Sequence, residues 1–369
     1  MQTKIIRLDP QNFSIDQMQE AIELIRKDEI VAFPTETVYG LGGSAFSEIA
    51  VKKIYEAKGR PSDNPMIVHI SNFEMLSDIV KEVPKNVRNL CNELWPGPLT
   101  ILFEKSEKIP DIVTAGLNTV AVRMPSHPIA FALLNALNIP IAAPSANLSS
   151  RPSPTKATHV FNDLHGKIPL IIDGGACKVG VESTVIEIHQ DHSIILRPGG
   201  VSLEQLRKYF PEIKVYNTNK QETSHNFKPA TPGLKYKHYS PKADVILIEG
   251  SKEYIQEQLN LQFIKYRPIK NIIGILHTHK NIQIPEELLK DPKCKIISLG
   301  IGSDENQAIS DTIQKNINSD KIAEELFDTL RRVDDQKIDL IIVEGISEKE
   351  KGLAVMNRLR KASSKIIKE

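Results

Sequence analysis

Ile30-Val31-Ala32-Phe33-Pro34-Thr35-Glu36-Thr37-Val38-Tyr39-Gly40-Leu41-Gly42-Gly43-Ser44-Ala45 is the stretch on which the fold turns. Its last six residues match a loose G-x-G-x-x-A pattern, the fingerprint of a dinucleotide-binding turn. That turn works only where the first glycine directly follows a strand, so that pyrophosphate meets a helix N-terminus. Here the apolar strand 30–33 is stopped by Pro34, and residues 35–39 intervene before Gly40. Asp63 lies at a plausible distance for a ribose-binding acid, but inside a proline-rich turn. A nicotinamide-dependent dehydrogenase is therefore set aside. No G-x-x-x-x-G-K-[ST] loop takes its place.

Outward from this stretch, strands and helices alternate. Ser14 is placed to cap a helix whose Met18, Ile22 and Ile25 recur at helical spacing. Ser47 starts another, carrying Val51, Ile54 and Tyr55 and ending before Gly59-Arg60-Pro61. Strands are predicted over 66–70, 99–103, 119–123, 139–143, 170–172, 183–188 and 193–196, with helices between several, as over 127–137. Composition changes near residue 217. Residues 217–241 are polar, hold three prolines and lack periodicity, which reads as a linker. The pattern then restarts, with strands over 244–248, 271–276, 295–299 and 340–344 and helices near 254–261, 320–330 and 353–362. That alternation predicts a small parallel α/β sheet. The organisation expected is a first α/β domain over 1–216, a linker over 217–242 and a Rossmann-like second domain over 243–369.

The bulk properties agree. A chain of 369 residues suits two domains. Lys plus Arg is 47 and Asp plus Glu is 46, a net charge of +1, so any anion site must be local. Hydrophobic residues at 40% and charged residues at 25% fit a globular protein with real cores. No apolar run approaches the ~18 residues of a membrane span, and the N-terminus shows no signal-peptide pattern, so no membrane partner is expected. Cys91, Cys177 and Cys294 are too few and too scattered for a disulfide framework or a cysteine-built zinc site, which suits a reducing cytoplasm.

Several segments can carry chemistry. Lys58-Gly59-Arg60-Pro61-Ser62-Asp63-Asn64-Pro65 is a stiff cationic loop after a helix, suited to a polyphosphate because little entropy remains to be lost. A solvated basic turn is the bland reading of the same residues. Arg123 and Arg197 each close an apolar strand, where a surface charge is the ordinary alternative. Ala142-Ala143-Pro144-Ser145-Ala146-Asn147 and Val181-Glu182-Ser183-Thr184-Val185 put small polar groups at strand ends, as ordinary turns also do. His69 sits inside an apolar strand, and the ten histidines show no metal-ligand spacing.

Taken in order, Pro34–Leu41, Lys58-Gly59-Arg60-Pro61, Asn64-Pro65, Trp95-Pro96-Gly97-Pro98-Leu99-Thr100, Val122-Arg123, Pro144-Ser145-Ala146-Asn147, Glu182-Ser183-Thr184-Val185 and Arg197-Pro198-Gly199 resemble the YrdC-like family, in its long two-domain threonylcarbamoyl-AMP synthase form. The linker run Pro232-Gly233-Leu234-Lys235-Tyr236-Lys237-His238-Tyr239-Ser240-Pro241 and the tail from Gly352 to Leu359 resemble the long form's additional parts. One departure is Ser150, where the family pattern has glycine.

The resemblance implies a twisted α/β domain with a concave basic cleft. It implies synthesis of L-threonylcarbamoyladenylate from L-threonine, bicarbonate and ATP, with release of pyrophosphate. Mg²⁺ would accompany ATP, and a separate complex would transfer the product to the adenosine beside the tRNA anticodon. Lys58, Arg60 and Arg197 would stabilise phosphate charge. Thr37, His69, Arg123, Ala143 and Ser183 would line a threonine pocket, Arg123 facing the carboxylate. Arg60, Asn64, Thr119, Ser145, Ser153 and Arg197 would contact ATP, with Asn147 supporting the same turn. The cations and aromatics of 235–239 suggest a lid over the cleft, with Tyr239 touching the nucleotide. A non-catalytic RNA-binding module on the same basic face, with weak RNA contact, is the alternative. A hydrogenase-maturation carbamoyltransferase is ruled against by the cysteine count.

Overall fold

The glycines of the opening stretch are strand residues. In the computed structural model, which describes residues 1–189, 191–216, 239–278, 284–300 and 318–369, Gly40–Ser44 forms a fully buried strand. It pairs antiparallel with Val31–Phe33, Phe33 opposite Gly40, so residues 34–39 are a hairpin loop. The glycines are there for close packing. A Cβ on Gly42 would lie 2.6 Å from both Ile141 Cγ2 and Phe33 Cε1, and one on Gly43 would lie 2.9 Å from Ala50 Cβ. The strand ends at Phe33 as the sequence predicts, and Gly40–Ser44, which the sequence reading leaves unassigned, is a second strand.

Within the described residues the chain clusters into two units, Met1–Ser149 with Ser153–Tyr236, and Ser150–Pro152 with Lys237–Glu369. In the first, the strands are β1 (Lys4–Arg7), β2 (Val31–Phe33), β3 (Gly40–Ser44), β4 (Ile67–His69), β5 (Leu99–Glu104), β6 (Thr119–Arg123), β7 (Ile141–Ala142), β8 (Leu170–Asp173), β9 (Thr184–Ile188), β10 (Ser193–Arg197) and β11 (Lys214–Val215). They make one sheet in the order β1-β8-β2-β3-β7-β4-β6-β5-β9-β10-β11. Parallel and antiparallel pairs mix: β4 runs parallel to β6, whereas β5 runs antiparallel to it.

Both faces of the sheet are covered, so central strands such as β6 and β8 read as largely apolar runs. Val31, Phe33, Leu170 and Ile172 pack on one side with Ile22 and Ile25 of the helix Gln19–Arg26 and Leu133 and Leu134 of the helix Pro128–Leu137. Ala32, Leu41 and Ile171 turn to the other side, into a larger core with Val51 and Ile54. The helix Glu48–Lys58 is capped by Ser47, whose hydroxyl accepts from Ala50 N at 3.2 Å, and it ends on Gly59 in the left-handed region, φ 57°. Ser14 introduces a 3₁₀ turn, Ile15–Met18, before the α-helix begins at Gln19.

The second unit is a five-stranded parallel sheet of β12 (Asp244–Glu249), β13 (Ile273–His277), β14 (Cys294–Ser298), β15 (Leu340–Glu344) and β16 (Lys365–Lys368), ordered β14-β13-β15-β12-β16. Helices Lys252–Tyr266, Ser319–Asp335 and Gly352–Ala362 connect and cover it. The expected parallel α/β pattern is present, with edge strand β16 added. Of the linker and lid expected over 217–242, residues 217–238 lie outside the described residues.

Candidate functional site

The sheet register places the proposed threonine residues side by side. His69 at the end of β4 is directly opposite Arg123 at the end of β6, and Arg123 is opposite Thr100 on β5. Directly opposite residues project to the same face. Thr100 and Ser183 share a 2.7 Å hydroxyl hydrogen bond. The hairpin loop 34–39 closes over Arg123. Its Nη1 donates to Thr37 Oγ1 at 2.8 Å, its Nε donates to Gly97 O at 3.3 Å, and its Nη2 lies 2.7 Å from Glu36 Oε1. Thr37 Oγ1 is held in turn at 2.8 Å by Thr35 Oγ1. Glu36 also accepts from Ser126 N at 3.1 Å. Ala143, at the end of β7, is buried, and its N–H donates to Ile67 O at 2.9 Å.

Arg123 is 3% exposed and Glu36 9%, so this is a buried charge pair. Although only 2.7 Å apart, Arg123 Nη2 and Glu36 Oε1 lack hydrogen-bond geometry to any protein atom. Beside them His69 is 3% exposed, and its Nδ1 has no hydrogen-bond partner. Burial, followed by the charge of Arg123, lowers the His69 pKa to about 3, so the imidazole is neutral at physiological pH. Buried polar atoms are normally satisfied. With the Arg123–Glu36 ion pair beside the unpartnered His69 Nδ1, this is the candidate place for a polar group.

A second group forms around the phosphate candidates. Lys58, 2% exposed, donates through Nζ to the carbonyls of Ser145 and, at 2.6 Å, Asn147. Ser145 Oγ donates to Asn147 Oδ1 at 2.6 Å. Arg197 at the end of β10 donates through Nη2 to Ser183 O at 2.9 Å and Ser183 Oγ at 3.2 Å, linking the phosphate and threonine candidates. Gly199 permits that turn: a Cβ there would lie 2.3 Å from Glu182 O and 2.4 Å from Ser183 C. Ser153 Oγ donates to Glu182 Oε1 at 2.7 Å. Arg60 curls onto its own loop, Nη2 donating to Pro65 O at 2.8 Å and Nε to Asn64 O at 3.2 Å. The buried Asn64 has Oδ1 without a hydrogen-bond partner.

Two further candidates remain. Thr119 is at the opposite end of β6 from Arg123, four residues or roughly 13 Å along the strand. Tyr239 belongs to the second unit and is 5% exposed. Its ring stacks on Phe327 with centroids 5.3 Å apart, and the Arg358 guanidinium lies 5.5 Å from its centroid. The ring is therefore packed against Phe327 and Arg358 of its own unit.

Sequence reasoning gave no role to Glu36, Thr100 or Glu182, the residues that hold Arg123, Ser183 and Ser153 in place. For the two acids the available signal was a carboxylate among apolar or small residues, Thr35-Glu36-Thr37 and Val181-Glu182-Ser183. Among the described residues no group of three or more His, Cys, Asp or Glu is gathered to hold a metal ion. None of the described helices is long and apolar enough to cross a membrane.

Comparison with known proteins covers nearly the whole chain. The Sua5/YciO/YrdC family model, described as telomere recombination, matches residues 23–199. The model described as the threonylcarbamoyl-AMP synthase C-terminal domain matches residues 201–364. The threonylcarbamoyl-AMP synthase of Pyrococcus abyssi is 44% identical over 94% of this chain and 94% of its own length. That of Bacillus subtilis is 43% identical over 94% of this chain and 93% of its own. The crystal structure of P. abyssi Sua5 complexed with L-threonine is similar at a TM-score of 0.85 and 41% identity, covering 100% of this chain and 99% of that one. A structure of the same protein with a histidine and the adjacent tyrosine changed to alanine gives a TM-score of 0.86 and 41% identity, over 100% and 98%.

Proposed function

Because the chain belongs to the Sua5/YciO/YrdC family, in the long form with the threonylcarbamoyl-AMP synthase C-terminal domain, we propose that its first unit joins L-threonine, bicarbonate and ATP into L-threonylcarbamoyladenylate. The threonine amine and bicarbonate give a carbamate and water. A carbamate oxygen then attacks the α-phosphorus of ATP, and the bond to pyrophosphate breaks. The product supplies threonylcarbamoylation of the adenosine beside the tRNA anticodon by a separate complex in the cytoplasm.

Such a displacement needs positioned reactants and stabilised phosphate charge more than a strong base. Arg123 takes the threonine carboxylate, and a bidentate pair there fixes orientation as well as charge. The neutral His69 accepts a substrate hydrogen bond at Nδ1 and does not serve as a general acid. Lys58 shapes the Ser145–Asn147 turn from behind, because its ammonium is engaged by that turn's carbonyls. Arg197 and Arg60 face the phosphates, with Asn64, Ser145, Ser153 and Thr119 along the nucleotide, and Mg²⁺ arrives on the triphosphate.

The observation that carries this reading is the buried Arg123–Glu36 pair beside the unpartnered His69 Nδ1. The test is pyrophosphate release that requires threonine and bicarbonate together. Arg123→Ala should raise the threonine requirement and leave the ATP requirement nearly unchanged, and Arg197→Ala should do the reverse. Each change should be roughly 10- to 150-fold, the span of a charge-assisted contact. RNA binding without pyrophosphate release would establish the non-catalytic module instead.

A further inference from the structure

Two neighbouring hydroxyls in the first unit carry one proton more than the protein accepts. Thr100 and Ser183 are buried, and their Oγ atoms lie 2.7 Å apart. That bond uses one of the two hydroxyl protons. Arg197 Nη2 also donates to Ser183 Oγ at 3.2 Å. A guanidinium has donors only, so this contact occupies a lone pair and takes up no proton. Among the described residues neither hydroxyl has a further hydrogen-bond partner. One buried O–H is therefore left to be spent, where buried polar groups are normally satisfied.

The surroundings decide which O–H it is. Arg197 Nη2 holds both Ser183 O, at 2.9 Å, and Ser183 Oγ. A hydroxyl that accepts from a cation becomes a better donor, because hydrogen bonds in a chain polarise one another. Accepting from Thr100 as well strengthens the Ser183 O–H again. In the reverse order the Thr100 O–H would stand two bonds from the guanidinium and gain less. Thr100 is also β-branched and lies within β5, so its χ1 is stiff and its hydroxyl is held in place. It sits directly opposite Arg123 in the sheet register, which sets the pair between Arg123 and Arg197.

We infer that Thr100 is a positioning residue, whose hydroxyl donates to Ser183 Oγ and thereby keeps the Ser183 O–H for an oxygen of the threonine-derived substrate. The inference rests on the proposed function and deepens it. That oxygen belongs either to threonine itself or to the carboxylate that bicarbonate adds to its amine.

The test uses the full chain, with threonine binding by calorimetry without bicarbonate and initial rates of pyrophosphate release at varied threonine and ATP. Thr100→Val should lower kcat/KM for threonine five- to tenfold, roughly the span of one neutral hydrogen bond, with the ATP KM within about twofold. Thr100→Ser, which keeps the hydroxyl, should recover most of the loss. Ser183→Ala should cost at least as much, and adding Thr100→Val to it should change little more, about twofold at most, because the two act as one unit. A weaker threonine Kd in Thr100→Val puts the acceptor on threonine. An unchanged Kd with slower turnover puts it on the carbamate. Unchanged binding and turnover in Thr100→Val would overturn the inference. So would losses that multiply in the double variant, or a larger loss in Thr100→Val than in Ser183→Ala, which reverses the donor order. If Thr100→Val does not fold, Thr100→Ser and Thr100→Ala decide, since they differ only by the hydroxyl; equal kinetics in these two would overturn the inference. A wild-type chain that releases no pyrophosphate with threonine and bicarbonate would instead overturn the functional reading.

Discussion

Glu36→Gln removes one charge from the centre of the site and little else. Glutamine keeps the shape, and its carbonyl can still accept from Ser126 N, as Glu36 Oε2 does at 3.1 Å. What disappears is the counter-charge 2.7 Å from Arg123 Nη2, at a guanidinium that is 3% exposed. Leaving a buried charge unpaired typically costs about 3–5 kcal/mol. For a unit of this size that is a fall in Tm of roughly 10 °C. The threonine carboxylate can take the place of Glu36, so saturating threonine should return much of the loss. Thermal melts of wild type and variant, each with and without threonine, make the assay. The rise in Tm produced by threonine should be larger in the variant, and calorimetry should show tighter threonine binding, because the competing carboxylate is gone. A variant as stable as wild type, or an equal threonine-induced rise in both, would refute the placement of the substrate carboxylate at Arg123.

Two further outcomes follow from the same geometry. His69, with its pKa lowered from 6.5 to about 3, stays neutral when folded but binds a proton when unfolded, so stability should fall as pH drops from about 6.5 toward 3; urea titrations of His69→Gln should show a flatter pH dependence in that window. Gly199→Ala would press a Cβ against the backbone of Glu182 and Ser183, so it should destabilise the chain by at least about 1–3 kcal/mol and depress synthesis through the displaced Arg197, measured by denaturant midpoint and pyrophosphate release.

Much of the fold could be read locally. The helix Glu48–Lys58 announces itself by Ser47, by Val51, Ile54 and Tyr55 on one face, and by Gly59, since caps and 3.6-residue periodicity are written in neighbouring residues. The same holds for β6 and β15, whose bounds match the apolar runs that predict them. Strand β3 was hidden, because Gly40-Leu41-Gly42-Gly43-Ser44 carries no strand propensity of its own. Its glycines answer to Phe33, Ile141 and Ala50, which come from three other elements. Edge strands β1 and β16 are short and partly exposed, so neither gives the uninterrupted apolar run of the central strands.

The α/β class, the restart after the linker and the inventory of chemical groups are legible in residue type, order and local spacing. Tertiary structure alone decided what those groups do to one another. Thr37, Glu36 and Arg123 meet across an 86- or 87-residue separation, and Lys58 reaches Ser145 and Asn147 across 87 and 89 residues. It also brought the Lys58 ammonium onto the Ser145 and Asn147 carbonyls and packed Tyr239 on Phe327. Such pairings depend on strand order and register, and no property of a residue's immediate neighbours specifies which distant strand will lie beside it.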